Sequence, residues 1–254
     1  MKNKEKFLKI SIIFFLFLLG CLIVLLTKAN YLLNILIVYT PATILTLYWA
    51  KNTRWKIIFF ATMATLLFAI PIEIIARLAD AWDVLSVLPR IDNLAPLENL
   101  LYAFINMLWP LAFYEYFVDR DSGKKINSRS KYLFLIFVLF SMTTYTLYFI
   151  NREMLVLDYW KIGFIFLLIP TILFYIFNKK LLKKTILPIT FFALIFFIHE
   201  VLSLYLGHWW WPGNYLFTIE MFNQPFPLDD VIIWYFLSTP VLIGGYELFW
   251  DDFK

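Results

Sequence analysis

Five carboxylates, Glu73, Glu98, Glu200, Asp229 and Asp230, stand in or beside long apolar runs of this chain. A charged side chain in hydrocarbon costs about 2.5–3.5 kcal/mol on the insertion scale, so such residues turn inward and become candidates for chemistry. A carboxyl group kept dry can remain protonated near neutral pH, which suits it to donate a proton and later take one back. The spacing of these acids is patterned. "PLENLLYAF" (Pro96–Phe104) and "PLDDVIIWYF" (Pro227–Phe236) each place an acid two residues after a proline. Glu73 is followed nine residues later by Trp82, and Glu200 by Trp209. Pro-Leu-acid is also a plain helix start. Proline lacks the N–H that the first turn leaves unpaired anyway, and the acid meets the positive end of the helix dipole.

The elements that hold these acids are membrane helices. The 254 residues are 62% hydrophobic and only 16% charged, with a mean hydropathy of +0.76. Soluble domains carry about a quarter charged residues, so too little polar surface is present for one. Eight segments approach the ~20 apolar residues that a hydrocarbon core requires: 8–27, 31–50, 56–79, 96–118, 132–150, 155–178, 185–206 and 228–249. The lysines and arginines set their direction. Seventeen of the 22 fall on one side, at the N-terminus, at 51–56, 120–131 and 179–184, and at Lys254. Both termini are therefore expected in the cytoplasm of a multi-pass cell-membrane protein. The basic, apolar N-terminus lacks a small-residue cleavage site and reads as a retained first helix.

All five acids then converge on the outer leaflet. Glu115 and Glu247 sit near the cytoplasmic ends and form a separate group. The non-cytoplasmic connections 80–95 and 207–227, rich in tryptophan, are expected to lie in or re-enter the outer interface.

The chain also repeats itself. "YTPATILTLYW" (Tyr39–Trp49) answers "LIPTILFYIF" (Leu168–Phe177), and "IPIEIIARLADAWD" (Ile70–Asp83) answers "FFIHEVLSLYLGHWW" (Phe196–Trp210). Pro96-Leu97-Glu98 answers Pro227-Leu228-Asp229, and Tyr114-Glu115 answers Tyr246-Glu247. Four landmarks in one order predict an all-α fold of two parallel four-helix repeats, 1–118 and 132–254, joined by a cytoplasmic linker over 119–131. An even number of helices per half makes the halves parallel, related by an axis along the membrane normal.

Other chemistries find less support. Glu73 and Arg77, at i and i+4, are placed for an intrahelical ion pair. His199-Glu200 offers half of a zinc motif, but no histidine follows four residues on and His208 lies in a loop, so no metal is expected. No Gly-rich phosphate cradle, paired-aspartate diphosphate motif or mid-membrane lysine in 228–249 is present. The basic residues gather at helix ends and not along a face, which argues against nucleic acid. Cys21 is the single cysteine and has no internal partner. The sequence does not set an oligomeric state.

Paired four-helix halves, each with an embedded Glu followed by Trp and then a Pro-x-acid helix start, resemble the lycopene cyclase domain family. That family carries a Pro-x-Glu-(Glu/Asp) motif in each repeat. Here it falls on Pro96, Glu98 and Asn99, and on Pro227, Asp229 and Asp230, so Asn99 and Asp229 depart from the pattern. The resemblance implies a cofactor-free, redox-neutral cyclisation of a linear polyene end group in the membrane. An acid protonates the terminal double bond, the ring closes on the cation, and a base removes a ring proton. It implies Glu98, Asp229 and Asp230 as the proton-transfer groups, with Glu73 and Glu200 orienting them and the acid and base roles open among them. Aromatic faces at Trp82, Tyr102, Trp209 and Trp234 would stabilise the cation. The alternatives are a non-catalytic carotenoid or isoprenoid binder and a proton-coupled transporter.

Overall fold

The computed structural model describes residues 3–120 and 125–251. Residues 121–124 of the expected linker, with Lys124, lie outside the described residues, as do Lys2 and Lys254 from the charge argument.

Eight helical rods make up the fold. They are α1 (Asn3–Thr27), α2 (Tyr31–Trp49), α3 (Arg54–Leu78), α4 (Leu97–Tyr114, continued by a π-helical turn Glu115–Asp119), α5 (Ser130–Ile150), α6 (Tyr159–Phe177), α7 (Lys179–Tyr205) and α8 (Leu228–Trp250). Seven are long and apolar enough to cross a membrane. The exception is α4, which buries Glu98, Asn99, Asn106 and Glu115 inside the bundle. The chain is an all-α polytopic membrane protein.

Local chemistry sets the helix ends. Asn30 caps α2 by accepting from the Leu33 N–H at 3.0 Å, and Asn178 caps α7 by accepting from the Lys180 N–H at 3.1 Å. α7 therefore begins at Lys179 and not at 185, its lysine turn extending the helix beyond the apolar span. α6 begins late, at Tyr159, because Arg152–Leu155 forms a separate 3₁₀ turn. Gly20 lets α1 and α2 touch. A Cβ there would stand 2.7 Å from the Ile37 carbonyl oxygen and 2.8 Å from the Val38 Cα, the close approach that small residues permit between membrane helices.

The expected outer loops are small hairpins. β1 (Asp83–Val84) pairs antiparallel with β4 (Trp209–Trp210), β2 (Arg90–Ile91) with β3 (Ala95–Pro96), and β5 (Thr218–Met221) with β6 (Gln224–Pro227). Asp92-Asn93 and Phe222-Asn223 turn the last two with positive φ, and each hairpin leads into a Pro-Leu-acid helix start.

Contacts between the two halves come in exchanged pairs. The offset that carries Glu73 to Glu200 carries Asp83 to Trp210, and those two residues face each other across the β1–β4 pair. Tyr31 packs on Trp209 with ring centroids 5.6 Å apart and planes at 88°. The reciprocal pair, Tyr159 on Trp82, stands at 5.8 Å and 89°. Such exchanged contacts are what a two-fold axis generates. The first helix of each half leans on the third of the other: Phe14 of α1 lies 6.3 Å from Phe191 of α7, and Phe68 of α3 lies 5.3 Å from Phe140 of α5. One extra residue separates Pro170 from Tyr159 relative to Pro41 from Tyr31. The π-helical turn Phe164–Leu168 absorbs it, which is how a one-residue insertion is carried inside a helix.

Candidate functional site

The acids at the hairpin end of the bundle fall into two groups with different surroundings. Glu98 and Asp229 hold the hairpins. Glu98 Oε1 accepts from the backbone N–H groups of Val87 and Leu88, both at 2.6 Å, and its Oε2 accepts from the Ser86 hydroxyl at 2.7 Å. Asp229 repeats the arrangement, accepting from the N–H groups of Leu216 at 2.9 Å and Phe217 at 3.2 Å. Each carboxylate clasps two consecutive amides of the strand or loop above its own helix. The proline before it fixes the extended backbone, with φ −64° at Pro96 and −78° at Pro227, so the acid of the first turn points back at the hairpin. Asp229 does with one methylene fewer what Glu98 does.

The next residue of each motif faces the interior. In the first half the Tyr31 hydroxyl donates to Asn99 Oδ1 at 2.9 Å, and Asn99 Nδ2 donates to Glu73 Oε1 at 2.8 Å. Trp82 lies within hydrogen-bonding reach of Glu73 as well. In the second half the Tyr159 hydroxyl donates to Asp230 Oδ1. Glu200 Oε1 accepts from the indole N–H groups of Trp209 at 2.7 Å and Trp211 at 3.2 Å, and its charge bears directly on that of Asp230. Tyr31 corresponds to Tyr159, Asn99 to Asp230, Glu73 to Glu200 and Trp82 to Trp209. All eight belong to one construction used twice.

Between the two acid sites runs a continuous aromatic wall. Tyr102 stacks on Trp234 (6.2 Å, 28°) and on His199 (5.7 Å, 21°), and lies 6.2 Å from Trp209. Trp209 in turn lies 5.2 Å from His199. Of the four aromatic residues singled out from the sequence, Tyr102, Trp209 and Trp234 belong to this cluster, while Trp82 packs on Tyr159 at 5.8 Å and on Trp211 at 6.5 Å. Glu98 and Asp229 remain behind them in the hairpins.

One expectation changes. Arg77 does not pair with Glu73 four residues before it. It bonds Asp83 at 2.9 Å and the Trp82 carbonyl, drawn there by the turn after α3. Arg90 also bonds Asp83 at 2.9 Å. Burial by itself would raise the Asp83 carboxyl, but these two guanidinium groups hold it below the usual carboxylate range. His208 has both ring nitrogens engaged: Nδ1 takes the Asn34 side-chain N–H at 2.8 Å, and Nε2 donates to the Ala29 carbonyl at 2.9 Å. That tautomer leaves no lone pair for a metal, and burial keeps its pKa below the ordinary histidine value. His199 faces Ser203 and the aromatic wall.

Tyr31, Tyr159 and Trp211 did not emerge from the sequence reading. A signal existed for the tyrosines: Asn30-Tyr31 and Asp158-Tyr159 open corresponding helices at the repeat offset. A tyrosine in an aromatic-rich chain carries little weight until its partner is seen. The surface cleft formed by Lys51, Asn52, Arg54, Trp55 and Lys56 lies at the other end of α3 from Glu73.

No family model, no curated protein and no solved structure matches the chain.

Proposed function

We propose that this chain is a membrane-embedded cyclase of a linear polyene, lycopene-like in chemistry, with its proton-transfer groups in the second-half site. The observation that carries the reading is that Glu200 and Asp230 are both buried in the second half and near enough to interact electrostatically, with Tyr102 packed on Trp209 and Trp234. Two interacting carboxyl groups kept from water can divide the acid and base roles between them. The protonated partner adds its proton to the terminal double bond and leaves a tertiary cation. The next double bond attacks that cation and closes the ring, and the other carboxylate removes a ring proton. Atoms and electrons balance without a cofactor. The aromatic faces stabilise the passing charge, and Tyr159 and the two indoles fix the carboxylates in place.

The end of the bundle rich in lysine and arginine is placed in the cytoplasm, and the acid sites in the outer leaflet of the cell membrane, within reach of a substrate that stays in the bilayer. Membrane lipid and the polyene are its partners in this reading. The first-half site, where Asn99 cannot exchange a proton, favours binding over reaction. A chain that only held a pigment would look like that half twice.

The test is the pigment profile of a lycopene-accumulating bacterium expressing the chain, separated by chromatography. Conversion to cyclic carotenes supports the reading. Untouched lycopene in membranes rich in the protein overturns it, and unaltered pigment co-purifying with the chain would identify a binder.

A further inference from the structure

A chain of hydrogen bonds runs from the turn between α1 and α2 to the aromatic cluster, and each member of it can be given a direction. The Ala29 carbonyl only accepts, so His208 Nε2, 2.9 Å away, carries the proton and His208 Nδ1 presents a lone pair. Asn34 therefore turns its amide nitrogen to His208 Nδ1 at 2.8 Å, and the second hydrogen of that nitrogen goes to Ser203 Oγ at 3.0 Å. The Ser203 hydroxyl has one acceptor in reach among the described residues, His199 Nε2 at 3.4 Å. A neutral imidazole that accepts at Nε2 holds its proton at Nδ1. His199 is 0% exposed, and its Nδ1 has no hydrogen-bond partner within the protein.

The scaffold does not require this chain of bonds. The offset that carries Tyr31 to Tyr159 carries Asn34 to Ile162, and the one that carries Glu73 to Glu200 carries Ile72, Ala76 and Ala81 to His199, Ser203 and His208. The other copy thus fills all four places with aliphatic side chains. A buried donor left without an acceptor is costly, and here three further polar residues fix its direction. The His199 ring stacks on Tyr102 at 5.7 Å and lies 5.2 Å from Trp209, whose indole bonds Glu200. We infer, resting on the polyene reading above, that the chain prefers a polyene whose end group carries an oxygen acceptor, a hydroxyl or a keto group, and that the His199 Nδ1–H binds that oxygen. Aromatic faces alone hardly distinguish an oxygenated polyene from a hydrocarbon one. A single fixed donor does, because a hydrocarbon guest leaves it unpaired in the complex.

The chain has two histidines, so labelling the ring nitrogens of histidine resolves both by nuclear magnetic resonance in the full chain in detergent. The expected spectrum shows opposite tautomers, Nε2–H at His208 and Nδ1–H at His199, assigned by the signal that His199→Phe removes. Binding is followed by quenching of tryptophan fluorescence with lycopene and with a monohydroxylated acyclic polyene of the same length. The hydroxylated polyene should bind roughly fivefold tighter or more, shifting the His199 Nδ1 resonance as it does so. His199→Phe should abolish the preference. Ser203→Ala, which copies Ala76 of the other half, should leave His199 a mixture of tautomers and weaken the preference. An Nε2–H tautomer at His199, equal affinities for the two polyenes, or a preference that survives His199→Phe each overturns the inference. Ring formation from lycopene separates the two claims: cyclisation without the preference sinks this inference alone, and the preference without cyclisation sinks the cyclase reading alone.

Discussion

The first-half and second-half acid sites share a scaffold and differ most at the residue after each clasp, an amide in the first and a carboxyl in the second. Both have a tyrosine at the head of a helix, a glutamate near the end of another, an indole nine residues further on, and a Pro-Leu-acid clasp holding the hairpin above. In the first, Asn99 accepts from Tyr31 and donates to Glu73, so every hydrogen bond has a fixed direction and the amide holds no exchangeable acid proton. In the second, Asp230 stands in the place of Asn99 and accepts from Tyr159, while Glu200 accepts from two indoles, so both inner positions carry a carboxyl group. The two copies thus keep one scaffold and differ in whether its inner position is an amide or a carboxyl.

Several measurements would break or sharpen this contrast. The largest effect is expected at Glu200 and Asp230. Glu200→Gln or Asp230→Asn should cut ring formation by roughly 100-fold or more, the range for loss of a general acid or base, while Glu73→Gln costs under about tenfold. Equal losses in the two halves, read from chromatographed pigments at matched membrane expression, would erase the distinction. Next comes Asn99→Asp, which installs the missing carboxyl. A rise in two-ring over one-ring product is expected if each site serves one end of the polyene, and an unchanged ratio would leave the first half a binding site only.

The clasps should behave oppositely to the reacting pair. Glu98→Gln leaves backbone N–H groups of Val87 and Leu88 without a charged acceptor and should destabilise by about 1–3 kcal/mol, with turnover per folded chain unchanged. Asp229→Asn should cost less, since it holds two donors against three for Glu98. Unfolding midpoints beside activity per folded molecule would decide, and a variant as stable as the parent but inactive would return Glu98 or Asp229 to the chemistry.

The smallest effect concerns pH. His208, buried neutral, has a folded pKa lowered from its ordinary value of about 6.5. Below that value the unfolded chain binds a proton the folded chain refuses, so stability is full above about pH 6.5 and declines as pH falls through the window beneath it. Asp83, held low by Arg77 and Arg90, contributes stability above the ordinary carboxylate range and loses it only in stronger acid. Unfolding midpoints at pH 8 and pH 5 should differ, and His208→Asn should flatten the difference.

Much of this protein was legible before its structure. Apolar run lengths gave the helices because a bilayer imposes one length scale on every span, with the starts exact at Tyr31 and Leu228 and displaced by polar turns at Tyr159 and Lys179. The repeat was legible because duplicated landmarks keep their order, and Trp82 and Trp209 because each stands nine residues after an embedded glutamate. The roles of the acids were not. Glu98 and Asp230 both stand in the first turn of a helix, adjacent in the motif, yet consecutive helical residues point about 100° apart. That angle sends one carboxylate to the hairpin amides and its neighbour to the interior. Arg77 turned away from Glu73 for a similar reason: the chain after α3 brings Asp83 back across its path. Sequence by itself determined the membrane setting, the eight helices and the doubled pattern, since those follow from composition and one-dimensional spacing. Only the tertiary structure decided which carboxylates are clasps and which face a partner, because that depends on rotation about each helix and on what the other half places opposite.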